Sequence, residues 1–232
     1  MSRQLDQIKF VYTLRSCANA YDLGFIPVTY VREAAIKALQ LEPGMRVLDL
    51  ACGTGLNLPY LAKAVGPTGQ VVGIDYTRAM LEHAKSRVEG AGHHWVRLIE
   101  GDAANLSFPE GSFDRVICTH ALSIIPRSRE ALRRAVRALA PGGRLVVADL
   151  KRMDAPTEVL QPFYDVVVNP MYEAMAFTIG CAHPGREILQ EMRLLLEGVK
   201  TEEYMGGAIY VATGVKPEAV SWRDDEGDRA AS

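Results

Sequence analysis

Two hydrophobic periods alternate along the middle of the chain. Short apolar runs at 46–50, 70–74, 95–99, 115–118 and 144–148 read as strands buried on both sides, because they carry almost no polar alternation. Stretches with helical spacing separate them. One spans 56–65. A second, with Thr77 as its N-cap, carries Met80, Leu81, Ala84 and Val88 and is broken at Gly90-Ala91-Gly92. A third spans 127–139, with Ala131, Leu132, Val136 and Leu139 inward. Strand, helix, strand repeated in this way predicts an α/β doubly wound sheet of Rossmann-like type, mostly parallel, in three αβα layers.

The ends of the chain add to this pattern. Helices are predicted over 4–20, with Ile8, Val11, Tyr12 and Leu14 on one face, and over 29–39, with Val31, Ala35, Ile36 and Leu39. Pro141-Gly142-Gly143 reads as a tight turn before the fifth strand. Beyond it, 155–180 is rich in apolar and aromatic residues and is cut by Pro162 and Pro170, which predicts two or three short helices. Their side chains are expected first in the core, with an acceptor pocket or a dimer interface left open. A helix over 186–196 follows. Segments 200–205 and 208–213 then alternate about Gly206-Gly207, a hairpin signal. The acidic stretch from Ser221 onward is expected to be disordered.

The chemistry concentrates where the first strand turns into the first following helix: Val47-Leu48-Asp49-Leu50-Ala51-Cys52-Gly53-Thr54-Gly55-Leu56-Asn57. Gly53 and Gly55 are expected to let the backbone approach a ligand that a β-carbon would block. Asp75 stands 20 residues beyond Gly55, at the end of the second strand, placed to accept hydrogen bonds from ribose hydroxyls. A dinucleotide dehydrogenase would have a third glycine where Leu58 stands. Instead an acid, Asp49, stands four residues before Gly53.

Composition narrows the class. A formal net charge of -2 gives no electrostatic basis for nucleic-acid binding. Cys17, Cys52, Cys118 and Cys181 form no C-x-x-C pair, so neither a zinc site nor a redox dithiol is indicated, and no metal is expected. Residues 1–9 lack the apolar core of a signal peptide, and no run approaches the length of a membrane span, so a cytoplasmic location is expected.

Asp49-x-Ala51-x-Gly53-x-Gly55 resembles the first motif of class I S-adenosylmethionine-dependent methyltransferases, with Ala51 in place of that pattern's usual first glycine. Gly101-Asp102-Ala103 resembles the family's adenine-side motif, and Leu139-Ala140-Pro141-Gly142-Gly143-Arg144-Leu145 its turn before the fifth strand. The hairpin at the C-terminal end matches the family's antiparallel seventh strand. The resemblance covers about 20–215. Asn57-Leu58-Pro59-Tyr60, Ala121-Leu122-Ser123-Ile124-Ile125-Pro126 and the phrase 206–214 resemble bacterial phosphatidylethanolamine N-methyltransferases and the quinone-biosynthesis methyltransferases.

The resemblance implies S-adenosylmethionine as cofactor, held by Asp49, Ala51, Gly53, Gly55, Asp75, Tyr76, Met80, Asp102, Ala103 and Thr119. It places the fourth-strand end against the transferred methyl group, with His120 or Tyr21 as candidate base and His183 a weaker one. It also implies an N-terminal helical cover over 1–40, a methyltransferase domain over 41–216 with an acceptor-side insertion over 151–184, and a tail over 217–232. The expected acceptor is small or lipid-like. Phospholipid N-methylation leads, a quinone-precursor or natural-product C- or O-methylation is the alternative, and a nicotinamide oxidoreductase is a distant one. Peripheral membrane contact, and the choice between monomer and homodimer, are left open.

Overall fold

The computed structural model describes residues 6, 9–13, 22, 28–105, 107–171, 174 and 187–218. Its strands are β1 (Arg46–Leu50), β2 (Gln70–Asp75), β3 (Val96–Glu100), β4 (Phe113–Thr119), β5 (Leu139–Leu150), β6 (Glu197–Tyr204) and β7 (Ile209–Val215). The helices are α1 (Thr29–Ala38), α2 (Leu58–Val65), α3 (Arg78–Gly90), α4 (Ser128–Ala138) and α5 (Glu187–Leu195). All seven strands form one sheet in the order β3-β2-β1-β4-β5-β7-β6. The pairs from β3 through to β5 are parallel, whereas β7 runs antiparallel to both β5 and β6.

The period of two along each strand sorts side chains between two cores. Leu48, Leu50, Val72, Ile74, Val116, Cys118, Leu145 and Val147 face one way, where α4 and α5 cover them with Leu132, Val136, Ile188 and Met192. Val47, Val71, Ile117 and Val146 face the other way, under Val31 and Ala35 of α1, Leu58 and Leu61 of α2, and Leu81 and Ala84 of α3. Cys52 and Cys118 are buried among them, as expected for small hydrophobes. Asp49 shares the parity of Val47, so its carboxylate is carried into the layer of α1 and α2.

Three expectations are corrected. The turn at 141–143 lies inside β5: pairing passes from Phe113↔Leu139 to Arg115↔Arg144, and the intervening residues loop out as a bulge. Gly143 is needed there, because a β-carbon would come within 2.7 Å of the Ala140 carbonyl oxygen. Pro162 interrupts nothing. It sits in the first turn of the helical piece Gln161–Phe163, where its missing N–H has no partner to lose.

The third correction concerns burial in 155–171. The helical run there changes from a 3-10 turn (Glu158–Leu160) to an α turn and then a π turn (Tyr164–Val168). Because the number of residues per turn changes along this run, no one face stays aligned over its length. Val159 is 87 % exposed, Val166 74 % and Met171 70 %, which removes these residues from the core. Among the described residues, no helix is long and apolar enough to cross a membrane.

Candidate active site

β1, β2 and β4 end side by side, and the turns leaving them enclose a cavity of about 900 Å³ including its open mouth. The first turn is built on alternate left-handed residues: Ala51 (φ 56°), Gly53 (φ 56°) and Gly55 (φ 81°). This zigzag reverses the chain within a few residues and starts α2. The two glycines have different tasks. A β-carbon on Gly53 would meet nothing within 4 Å, and the residue lines the cavity. A β-carbon on Gly55 would lie 2.9 Å from Ala84 Cβ and 2.9 Å from Leu58 Cδ1. Gly55 therefore serves the packing of α3 against the loop rather than the approach of a ligand, and it is absent from the cavity wall.

Asp75 ties this loop to β2. Its carboxylate accepts from the Gly53 N–H at 2.9 Å and the Thr77 N–H at 2.8 Å. Burial holds its pKa above the ordinary carboxylate range, against the pull of the Thr77, Gly53 and Tyr76 N–H groups. Thr77 stands at the N-cap position of α3 as expected, but its side chain makes no capping bond. Asp102, on the loop after β3, accepts from the Ala104 N–H at 2.9 Å and pairs with Arg127 at 3.0 Å. Asp75, Tyr76, Met80, Asp102 and Ala103 all line the cavity, as do Ala51, Thr119 and His120.

Asp49 is different from its expected place. It is completely buried, stands behind the wall rather than on it, and is held by Asn57 Nδ2 at 2.9 Å. Its second oxygen has no hydrogen-bond partner among the described residues. Burial pushes its pKa up to about 7, against the hydrogen bond from Asn57 and the nearby charge of Arg32.

Two residues that sequence reasoning passed over complete the arrangement. Arg32 lies on the inward face of α1, only 7 % exposed, and lines the cavity. Its Nη1 donates to Asn57 Oδ1 at 2.5 Å and to Thr119 Oγ1 at 3.3 Å. Asn57 also donates to Thr119 Oγ1 at 3.1 Å. Arg32 was legible only as a charge lying between Val31 and Ala35 on the apolar stripe. Asn57 reads as an ordinary helix N-cap, yet its side chain caps nothing and reaches across to β1 and β4 instead.

His120 follows β4 with φ 54°, a left-handed conformation that is costly for a residue with a β-carbon. Burial first, and the charge of Arg32 second, press its pKa down to about 4. The imidazole is thus neutral at neutral pH and a poor proton acceptor. Tyr21 and His183 lie outside the described residues, as do Tyr172 and Phe177 of the expected acceptor segment, and Tyr164 does not line the cavity. Of the His93-His94 loop, His94 is exposed and His93 half-buried, both against Trp95. On the N-terminal side, Tyr12 lines the cavity. Asp22 accepts from Thr54 Oγ1 at 2.6 Å and from Arg87 Nη2 at 2.6 Å, bridging the glycine loop and α3. Among the described residues no cluster of His, Cys, Asp or Glu could hold a metal ion.

The donor set fits an adenosyl ligand: two carboxylates for hydroxyl and amine groups, apolar Ile74, Met80 and Ala103 for a base, and open space at Gly53. Comparison with known proteins agrees. A family model described as a methyltransferase domain matches residues 47–143. The demethylmenaquinone methyltransferase of Listeria welshimeri is 36 % identical over 125 residues, covering 54 % of this chain and 53 % of that one. The chain thus spans about half the length of that relative. The demethylmenaquinone methyltransferase of Anoxybacillus flavithermus is 29 % identical over 203 residues, covering 81 % and 84 %. Among solved structures, an S-adenosylmethionine-dependent methyltransferase from Aquifex aeolicus superposes with a TM-score of 0.54 at 20 % identity, over 79 % of this chain and 88 % of that one.

Proposed function

We propose that this chain is a class I S-adenosylmethionine-dependent methyltransferase and that it methylates a small quinol-type ring acceptor in the cavity at the ends of β1, β2 and β4. S-adenosylmethionine is its cofactor and when bound supplies a methyl group on a positively charged sulfur, an electrophile already activated for displacement. The protein's task is therefore to position the acceptor and exclude water.

In this reading Asp75 receives the ribose hydroxyls and Asp102 the adenine amine, with Tyr76, Met80 and Ala103 against the base. Gly53, Ala51 and Thr119 border the reacting end. Asp49 acts from behind the wall by orienting Asn57, and Gly55 by seating the loop on α3. The acceptor side is the apolar corner of Ile124, Ile125 and Pro126 beside His120. A neutral His120 with so low a pKa positions an acceptor better than it deprotonates one. The acceptor then ionises by itself, as a phenolic or quinol hydroxyl can. The N-terminal helices act as a cover over this mouth, and the exposed apolar side chains of 158–171 bring it to greasy acceptors at a membrane surface.

The observation that carries the reading is the apolar corner around a neutral imidazole, joined to the similarity to two demethylmenaquinone methyltransferases. Phosphatidylethanolamine would carry a charged ammonium into this apolar corner, and burying that charge costs more than burying a neutral quinol ring. Transfer of a labelled methyl group from the cofactor should be measured with demethylmenaquinol and with phosphatidylethanolamine in parallel. Label in the quinol product is expected, and label in the phospholipid alone would overturn the acceptor class.

A further inference from the structure

The cofactor carries a carboxylate, and none of the groups assigned so far is a cation. Arg32 is the only lysine or arginine among the described residues lining the cavity. It is not a solvated surface charge. It is only 7 % exposed and is oriented by Asn57 Oδ1 and Thr119 Oγ1. Asn57 is oriented in turn, because its amide donates both to the buried Asp49 and to Thr119. Asn57 therefore has one way round: amide nitrogen toward the two oxygens on β1 and β4, carbonyl oxygen toward the guanidinium. The result is a cation fixed at the β1 and β4 ends of the cavity, away from the carboxylates of Asp75 and Asp102.

We infer that Arg32, oriented by Asn57, is the receptor for the carboxylate of the cofactor's amino-acid end. Three features of the molecule converge on this. A guanidinium offers a planar fork matched to a carboxylate, and its fixed geometry reduces the ordering cost of binding. Burial beside the wall removes competing water and strengthens the pair. The acids at the opposite end, Asp75 and Asp102, would repel the same carboxylate, so the cavity's charges set the direction in which an adenosyl amino acid lies. Asp49, behind the wall, is a positioning residue: it fixes Asn57, which fixes Arg32. Asn57 and Arg32 come from segments 25 residues apart, so the site exists only once α1 has docked. The inference rests on the cofactor occupying this cavity.

The test is calorimetric and needs no turnover. Binding of S-adenosylhomocysteine and of its decarboxylated analogue, which keeps the amine and loses only the carboxylate, is measured for the wild type, Arg32→Lys and Arg32→Met. The wild type should prefer the carboxylate-bearing ligand by about tenfold to a hundredfold, the range expected for a charge-assisted hydrogen-bonded pair. In Arg32→Met that preference should fall toward one while the analogue binds as before, and Arg32→Lys should retain part of it. Should Arg32→Met fail to fold, the wild-type preference and the lysine variant still decide. Equal binding of both ligands by the wild type overturns the proposal, as does an undiminished preference in the variants. Asp75→Asn distinguishes the underlying reading. Weakening of both ligands together places them in this cavity, and indifference of both would remove the site assignment and the proposal with it. Unchanged binding of both ligands in Arg32→Met, with weaker calorimetric binding of a quinol, would overturn the proposal and reassign the guanidinium to the acceptor.

Discussion

The two glycines of the first turn have the same residue type and similar left-handed backbones, yet alanine at each should have separate consequences. Left-handed strain is common to both and costs about 1–2 kcal/mol. The same turn already bears it at Ala51. What differs is the space around the new methyl group. At Gly53 it meets nothing within 4 Å, so Gly53→Ala should lose little beyond the strain. At Gly55 it arrives 2.9 Å from Ala84 Cβ and 3.0 Å from Ala84 Cα, part of the backbone of α3, which cannot swing aside. Overpacking of this kind adds about 1–3 kcal/mol. Gly55→Ala should therefore be less stable than Gly53→Ala by about 1–3 kcal/mol in urea unfolding without cofactor, with unchanged slope. Cofactor affinity should invert the order, with Gly53→Ala the weaker binder per folded molecule, because that residue lines the cavity. Equal stabilities, or a Gly53 variant that binds as the wild type does, would refute the division of labour between the two positions.

The pH dependence of stability offers a second check. The pKa of His120 is depressed to about 4, so the unfolded state binds more protons between about pH 6.5 and 4, and the stability margin over His120→Gln should shrink as pH falls through that window. Asp49, raised to about 7, has the opposite sign: its folded form holds the extra proton, and stability relative to Asp49→Asn should fall as pH rises from about 4 to 7. Urea midpoints of each pair across that range test both. Turnover should survive EDTA, because a sulfonium needs no Lewis acid; activity lost to the chelator and restored by a divalent ion would show otherwise. Asp22→Asn should weaken the pairing of this carboxylate with Arg87 and with Thr54 of the glycine loop, seen as severalfold weaker cofactor binding by calorimetry.

Much of this molecule was legible one residue at a time. Short apolar runs around single acids marked parallel strands because both faces of the sheet are covered, and Gly206-Gly207 marked the hairpin because both glycines take positive φ (66° and 90°). The Gly53 turn and Asp75 could be joined because a strand, turn and helix of fixed length return the chain to a neighbouring strand. Distances along the sequence also explain what stayed hidden. Arg32 looked like one more surface charge, because only the docking of α1 shows that its side of the helix turns inward beside Val31. Asp49 and Asn57 could each be named, but that one sits behind the wall and orients the other follows from β1 and β4 lying side by side. Gly55 looked like Gly53 until α3 came to rest against it. His120 looked like a base until the fold half-buried it and set a guanidinium nearby. Periodicity and turn chemistry are local and the sequence carries them. Burial, charge environment and pKa depend on which distant segment arrives opposite, and the assembled sheet and its docked helices alone decide that.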